Sequence, residues 1–202
     1  MERFTTLDAI ACPLGLADID TDQLIPARFM SRSRAQGYGG YLLHDARFDA
    51  RGVQRPSFIL NDPRYAGAKI LVARANFGTG SSREAAVYAL WDYGIRCVIA
   101  TSFGDIFASN AVKNGLLPAT ISERDLERIL ASLGSSVESR LSVDLVSQTI
   151  GGRFPFDIDP ARRLQLLNGW DDIDLTLQHQ DAIAEYRARL TVNRAWVFPV
   201  RS

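Results

Sequence analysis

The stretch that most constrains the fold is residues 75–84, which read Ala-Asn-Phe-Gly-Thr-Gly-Ser-Ser-Arg-Glu. A short apolar run at 69–73, typical of a buried strand, precedes it, and a helical pattern over 82–93 follows and stops at Gly94. Residues 96–100 are a second apolar run of strand length. A strand, a helix and a strand in this order predict a right-handed crossover between parallel strands, and therefore an α/β fold.

The loop at this junction carries groups that suit an anion. Gly78 and Gly80 allow the backbone to approach a ligand closely, and the start of the following helix offers unpaired N–H groups. Ser81, Ser82 and Arg83 add two hydroxyls and a guanidinium at the first turn. Together these groups favour binding of a carboxylate or a phosphate.

A purely structural interpretation of the same residues stands beside it. Ser81 and Glu84 have the spacing of a capping box, in which case Ser81 caps the helix and Arg83 is a solvated surface charge. Two well-known catalytic loops are excluded. No Lys-Ser/Thr pair follows the second glycine as a Walker loop requires, and the Gly-x-Ser-x-Gly of a nucleophile elbow is absent.

The remaining pattern predicts one mixed α/β domain over residues 1–202, with a partly parallel sheet and flanking helices. Neither a repeat nor a convincing linker divides the sequence. The apolar tail at 196–199 is predicted to dock on the core or on a partner. Further strands are predicted at 10–16, 58–60, 116–121 and 141–146, with a hairpin of 148–150 and 154–158, and further helices at 105–113, 122–133, 160–168 and 181–190.

The charge balance argues against several classes of function. The 202 residues include 23 basic and 23 acidic side chains, whereas proteins that bind nucleic acid or membrane surfaces normally carry a basic excess. No apolar run approaches the length that spans a bilayer, and the N-terminus lacks the apolar core of a signal peptide. We therefore expect a cytoplasmic protein that binds neither nucleic acid nor membrane.

Cysteines and histidines are few and scattered. Cys12 and Cys97 lie far apart without a CxxC pair, so we expect neither a disulfide scaffold nor a zinc or iron–sulfur site made by this chain alone. His44 and His179 are isolated in the sequence. We predict buried free thiols, structural histidines and no metal ligated by this chain.

Three acidic residues alternate at Asp18, Asp20 and Asp22. The glycine and the terminal glutamate of a calcium-binding EF-hand loop are missing, so structural roles are favoured for Asp18 and Asp20. Asp22 either caps the short segment that follows or orients an arginine.

Residues 28–41 combine Arg28, Arg32 and Arg34 with a glycine-rich run that contains Tyr38. Such a run does not hold regular structure well, so we predict a flexible loop at about 30–45. The alternatives are a mobile cover over a site, an interface segment, a plain flexible loop, or an RNA-contacting segment, since basic residues interleaved with tyrosines occur in RNA-binding tails.

Several segments, taken in order, resemble one family over nearly the whole chain. The segments that carry the resemblance are 20–29 (Asp-Thr-Asp-Gln-Leu-Ile-Pro-Ala-Arg-Phe), 76–84, 102–107 (Ser-Phe-Gly-Asp-Ile-Phe), 114–118 (Asn-Gly-Leu-Leu-Pro), 167–169 (Leu-Asn-Gly) and 175–183 (Leu-Thr-Leu-Gln-His-Gln-Asp-Ala-Ile). The family they resemble is the small subunit of 3-isopropylmalate dehydratase, within the aconitase superfamily.

The resemblance implies a swivelling β/β/α domain of the aconitase type that closes over a large subunit. In the family a 4Fe–4S cluster is held by the cysteines of that large subunit, which agrees with the scattered cysteines of the present chain. The implied reaction interconverts 2- and 3-isopropylmalate by dehydration and rehydration in leucine biosynthesis. The implied partners are the large subunit and a small dicarboxylate substrate.

The resemblance also assigns roles to residues. Ser81 matches the serine that acts as the base, and such a weak acid needs a strongly positive, preorganised setting to serve as an alkoxide. Ser82 and Arg83 match positions that bind a substrate carboxylate. Asp22 matches an aspartate that orients groups in the site, and Arg28 is a candidate for a second carboxylate clamp.

The loop at 32–41 lies where the family places contacts for substrate recognition or for the subunit interface. Its candidate residues are Arg32, Arg34 and Tyr38.

Several positions depart from the family pattern. The family usually has Arg-Glu-His-Ala-Pro-Trp after the two serines, whereas residues 83–88 here read Arg-Glu-Ala-Ala-Val-Tyr, which places Ala85 where a histidine is usual. Thr79 stands where a cysteine is usual, and Gly104 where an alanine is usual. The expected enzyme is therefore either a divergent isopropylmalate enzyme or one that acts on a related alkyl-malate such as 2,3-dimethylmalate.

Two alternatives from other classes stay open at this point. One is a non-catalytic binding module that contacts RNA through Arg32, Arg34, Tyr38 and Tyr41, and the neutral net charge argues against it. The other is a stand-alone anion-binding protein that never meets a cluster-bearing partner.

Overall fold

The computed structural model describes residues 1–135, 139–194 and 196. Five single turns of 3-10 helix join the longer elements, at Ala27–Phe29, Arg34–Gln36, Gly39–Tyr41, Ile59–Asn61 and Pro63–Tyr65. The strands are β1 (Thr6–Pro13), β2 (Ile70–Val72), β3 (Cys97–Ala100), β4 (Leu117–Thr120), β5 (Arg140–Asp144), β6 (Thr149–Ile150) and β7 (Phe154–Pro155). The helices are α1 (Thr21–Leu24), α2 (His44–Arg47), α3 (Glu84–Tyr93), α4 (Asp105–Lys113), α5 (Glu123–Ser135), α6 (Pro160–Asn168), α7 (Asp172–Leu177) and α8 (Gln180–Asn193).

The strands form one seven-stranded sheet in the order β4-β3-β2-β1-β5-β6-β7. Strands β1 to β4 run parallel, with Ile70 of β2 opposite Ala11 of β1 and Cys97 of β3. The other half is antiparallel and joins through β1 and β5, where Leu7 lies opposite Val143. The mixed, partly parallel sheet predicted from the sequence is confirmed, including the parallel pairing of the two strands that flank the central loop.

The sheet is covered on both faces, which explains the apolar runs of its parallel strands. All three residues of β2 are buried. Leu71 packs into one hydrophobic cluster with α1 and α3, whereas Ile70 and Val72 pack into a second cluster with α5 and α6. A strand buried on both faces shows a continuous apolar run rather than an alternation of apolar and polar residues.

Several predicted elements lie where the sequence placed them. Helix α3 ends at Gly94, which has φ +111° and donates its N–H to the last turn. Helix α6 begins at Pro160 and is capped by Asp159. The hairpin across Gly151 and Gly152 is present as β6 and β7.

Two predictions about elements were wrong, and one helix was missed. Residues 58–60 are not a strand, because Ile59–Asn61 forms a 3-10 turn that runs into a second turn capped by Asp62. The first strand lies at Thr6–Pro13 rather than 10–16, since its first half pairs with β5, a partner more than 130 residues away. Helix α7, which begins in a capping box at Asp171, was not predicted.

The C-terminal helix α8 extends the predicted 181–190 at both ends. Trp196 is 82% exposed, so it is not docked on the core. Residues 197–199 of the predicted docking tail lie outside the described residues. Within the described part of the chain, no helix is both long enough and apolar enough to cross a bilayer.

Candidate active site

Three loops meet at the edge of the sheet where β1, β2 and β3 end. The loop after β1 pairs with the loop after β2 through a parallel bridge between Asp20 and Thr79, and the loops after β2 and β3 join through Phe77 and Phe103. Ligands of open α/β sheets bind outside the carboxyl ends of the parallel strands. The structure therefore brings two of the segments singled out in the sequence, 20–29 and 76–84, to the edge where a ligand site is expected.

The backbone of the 76–83 loop is held in left-handed conformations. Asn76, Gly78 and Gly80 have φ values of +60°, +73° and +93°. The Asn76 amide nitrogen donates to Asp18 at 2.7 Å, and the Asn76 backbone N–H donates to the Ser102 hydroxyl at 2.8 Å. Neighbouring loops thus fix a conformation that costs free energy for a residue other than glycine. The structural role predicted for Asp18 is confirmed in this contact.

Gly78 provides the first test of this loop. A Cβ atom at this position would overlap the Phe107 ring of α4, and φ +73° disfavours any side chain. We expect Gly78→Ala to lower the free energy of unfolding by about 2 to 4 kcal/mol, since left-handed strain and overpacking add. Gly52→Ala is the control, because Gly52 has φ +76° with open space around it and should cost only about 1 kcal/mol. Equal losses in the free energy of unfolding for Gly78→Ala and Gly52→Ala, measured by chemical denaturation, would contradict the argument that overpacking against Phe107 adds to the cost at Gly78.

The serine hydroxyls of the loop are exposed. Helix α3 begins at Glu84, its N-cap is Arg83, and the Arg83 side chain does not cap its first amides. The predicted capping box between Ser81 and Glu84 is not formed, because Glu84 instead accepts a hydrogen bond from Asn114 at 3.0 Å. Neither Ser81 nor Ser82 uses its hydroxyl in a hydrogen bond with the described residues. Both hydroxyls are available to a ligand.

Arg83 links the 76–83 loop to α1 through an ion pair with Asp22. Its Nη1 donates to Asp22 Oδ1, and its side chain is only 19% exposed whereas that of Asp22 is 55% exposed. The pair joins the two segments that the sequence alone could not place together. Arg83 has further donors on Nε and Nη2 that this ion pair leaves free, so a carboxylate could bind beside Asp22.

The loop and the start of α4 line an open depression of about 250 Å³. Its lining includes Gly78, Gly80 and Gly104 together with Ser81 and Phe107. A Cβ at Gly104 would lie 2.6 Å from the Gly78 carbonyl oxygen, so the absence of a side chain at Gly104 permits this close approach of the two loops. The depression is one side of a site rather than an enclosed pocket.

Arg28 belongs to a different cluster. Its guanidinium forms an ion pair with Asp45 and lies 4.6 Å from the centroid of the Phe29 ring. The hydrogen bond from Arg28 is the main reason that the pKa of Asp45 is lowered to about 2. The contacts of Arg28 within the described residues do not include the Ser81 loop. Its role as a second carboxylate clamp stays a prediction.

The loop that carries Arg32, Arg34 and Tyr38 lies along the later turns of α3. The Asp92 carboxylate accepts hydrogen bonds from Arg34 and from the Tyr38 backbone N–H, the latter at 2.7 Å. Tyr38 is buried and its hydroxyl donates to the Arg32 carbonyl at 2.9 Å, while Arg34 lies 4.4 Å from the centroid of the Tyr88 ring. Two short 3-10 turns shape this part of the predicted loop, and its flexibility stays a prediction.

The two thiols are poor metal ligands. Burial raises the pKa of Cys12 to about 12 and raises the pKa of the fully buried Cys97 further above its ordinary value. Cys12 and Cys97 pack into different hydrophobic clusters. Among the described residues, no group of three or more His, Cys, Asp or Glu side chains converges as a metal site would require.

Comparison with known proteins identifies the family. Residues 1–124 match the family model described as the aconitase C-terminal domain, and residues 172–200 match the model described as the C-terminal domain of the 3-isopropylmalate dehydratase small subunit. Proteins named 3-isopropylmalate dehydratase small subunit are 46% identical in Rhodospirillum centenum, 46% in Rhodopseudomonas palustris and 45% in Nitrobacter hamburgensis. Each alignment covers 97% of this chain and 98% to 100% of the relative.

A solved structure shares the fold. The crystal structure of 3-isopropylmalate dehydratase (leuD) from Methanocaldococcus jannaschii superposes with a TM-score of 0.61 at 22% identity, over 90% of this chain and 99% of that chain. At this identity the likeness concerns the fold alone. The sequence relatives, the two matching family models and the mixed sheet agree, and the chain belongs to the 3-isopropylmalate dehydratase small-subunit family of the aconitase superfamily.

Proposed function

We propose that this chain forms one side of the active site of a 3-isopropylmalate dehydratase, a hydro-lyase of leucine biosynthesis, and that a large subunit forms the other side. The observation that carries the proposal is the cluster of Ser81, Ser82 and Arg83 with Asp22 at the carboxyl edge of the sheet. Ser81 lines an open depression, as expected when a second surface completes the site. The proposal includes the cytoplasmic location predicted from the sequence.

In this proposal, different residues of the chain bind the substrate and transfer the proton. The Arg83 guanidinium and the Ser82 hydroxyl bind a carboxylate of the substrate through charge-assisted hydrogen bonds. Ser81 Oγ, as the alkoxide, accepts the carbon-bound proton and becomes the hydroxyl when water is lost, and it returns that proton when water is added back. A 4Fe–4S cluster held by the large subunit would supply the Lewis acid for the departing hydroxide.

The surroundings of Ser81 explain why the chain needs a partner. Ser81 is exposed, and Coulomb interactions in water are weak, so Arg83 and the free amides at the start of α3 stabilise an alkoxide poorly in the isolated chain. Covering the depression removes water and strengthens the same interactions without moving any charge. We therefore expect activity only in the assembled complex.

The test is to combine the chain anaerobically with its large subunit and follow the unsaturated acid by its ultraviolet absorbance. Turnover of 3-isopropylmalate by the complex, and by neither protein alone, is the expected result. A stable iron–sulfur complex that ignores isopropylmalate and other malates would overturn the proposal. Capture of no cluster-bearing partner from the source cells would do the same.

A related alkyl-malate is the second candidate, and Ala85 is the residue that favours it. Ala85 lies in the first turn of α3, two residues after Arg83, and it is half-buried against the first core cluster. We expect Ala85→His to change the ratio of kcat/KM for isopropylmalate over 2,3-dimethylmalate by about tenfold, the usual effect of reshaping a pocket by a small group. Ala184→His, on the exposed face of α8, is the control. An unchanged ratio would remove Ala85 as a determinant of specificity.

The structure weakens the RNA-contacting alternative. Tyr38 is 6% exposed and Arg34 is paired with Asp92, so neither is free to stack on a base. Binding of RNA at low micromolar protein that weakens with salt would revive that alternative.

A further inference from the structure

Thr21 is a buried polar residue beneath the Ser81 loop. It is 2% exposed, its hydroxyl donates to the Ser81 carbonyl oxygen at 3.0 Å, and its backbone N–H donates to the Thr79 carbonyl oxygen at 2.9 Å. The described residues include three other buried polar or charged side chains, and those form their hydrogen bonds elsewhere in the fold: Arg47, Ser139 and Gln165.

The Thr21 hydroxyl is not needed for packing, because valine has nearly the same shape and would fill the same space without a polar group to satisfy. A buried hydroxyl does need an acceptor, so its acceptor indicates what the hydroxyl is for. The acceptor here is the carbonyl of the residue proposed as the base. Thr21 therefore fixes the peptide that links Ser81 to Ser82.

The segment around Thr21 contacts the same loop at further points. Gly80, at φ +93°, lies beside Thr21, and a Cβ at Gly80 would be at ordinary contact distance, 3.5 Å, from the Thr21 hydroxyl oxygen. The Gly78 N–H donates to the Ile19 carbonyl at 2.7 Å, so the segment before Thr21 holds the start of the loop as Thr21 holds its end. The next residue, Asp22, forms the ion pair with Arg83.

We propose that Thr21 is a positioning residue, which holds the Ser81 peptide so that Ser81 Oγ keeps a fixed placement in the depression, while Arg83 is held separately by Asp22. The inference rests on the proposed function, in which Ser81 Oγ meets the substrate. A misplacement of about 1 Å at reacting groups lowers the rate by about 100-fold. A residue that sets the loop thus affects turnover without touching the substrate.

The first test measures turnover in the complex assembled with saturating large subunit. For Thr21→Val we expect kcat to fall about 10- to 100-fold while KM changes less than about threefold, because the loop shifts but the carboxylate ligands remain. Thr21→Ser keeps the hydroxyl and should retain most of the wild-type kcat. Ser139→Ala, which removes another buried hydroxyl that donates to the Leu133 carbonyl, is the matched control and should leave kcat unchanged.

The second test does not depend on activity. In hydrogen exchange on the isolated chain, Thr21→Val should speed exchange of the backbone amides at positions 21 and 78, whereas Thr21→Ser and Ser139→Ala should not. Unchanged exchange and unchanged kcat in Thr21→Val would overturn the role of Thr21. An inactive wild-type complex would count against the proposed function, and the exchange rates alone would then decide for or against the positioning of the loop by Thr21.

Discussion

Replacing Ser81 with alanine is expected to lower kcat of the assembled complex by about 1,000-fold, within the range that a positioned general base contributes. KM should change little, because the carboxylate donors of Ser82 and Arg83 remain. The measurement is steady-state dehydration of 3-isopropylmalate under anaerobic conditions, with the large subunit saturating. Ser81 is exposed and its hydroxyl has no partner among the described residues, so the free energy of unfolding should stay within about 0.5 kcal/mol.

Ser82→Ala is the matched control for this prediction. Ser82 is the next residue, is equally exposed and also lacks a described hydroxyl partner, but it is proposed to bind a carboxylate rather than to move a proton. We expect its loss to raise KM several-fold with a smaller change in kcat, as for one hydrogen bond to a charged group. If Ser81→Ala retains more than a tenth of the wild-type kcat, Ser81 is not the base.

Much of the fold could be predicted from local sequence. The strands around the central loop are short and wholly apolar because helices cover both faces of the sheet, and Gly94 ends α3 through its own left-handed backbone. These features depend on residues that are close in the chain. The first half of β1 was missed because the partner that stabilises it, β5, is distant in sequence.

In the candidate site, too, local features could be predicted and contacts between distant segments could not. The residue types of the 76–84 loop were sufficient to predict an anion-binding loop between a strand and a helix. An arginine partner for Asp22 was one of two predicted alternatives. Two features could not be predicted, the Thr21 hydroxyl on the Ser81 carbonyl and the identity of that arginine as Arg83, because each contact joins positions about 60 residues apart. A weak signal for Thr21 did exist, since a β-branched hydroxyl residue lies within a short segment whose next residue, Asp22, was already a candidate.

Arg83→Lys is expected to lower kcat/KM for isopropylmalate by about 100-fold, mostly through KM. The side chain keeps its charge but loses the planar fork that binds a carboxylate through two parallel hydrogen bonds, and charge-assisted hydrogen bonds contribute about 1.5 to 3 kcal/mol each. The ion pair with Asp22 is partly exposed, so its loss changes stability by at most about 1 kcal/mol. We therefore expect Arg83→Lys to lower kcat/KM strongly and to leave the free energy of unfolding nearly unchanged.

Three companion variants isolate the cause of that loss. Arg64→Lys alters an exposed arginine paired with Asp62 far from the loop, and it should leave kcat/KM unchanged. Asp22→Asn removes the negative charge that pairs with Arg83 but leaves the planar guanidinium of Arg83 in place. If Asp22→Asn loses as much activity as Arg83→Lys, the arginine acts chiefly through its ion pair, and its proposed contact with the substrate is wrong. Arg28→Lys tests whether Arg28 is a second ligand for a substrate carboxylate. A loss of similar size would mean that Arg28 leaves Asp45 and binds the substrate when the two subunits close around the substrate.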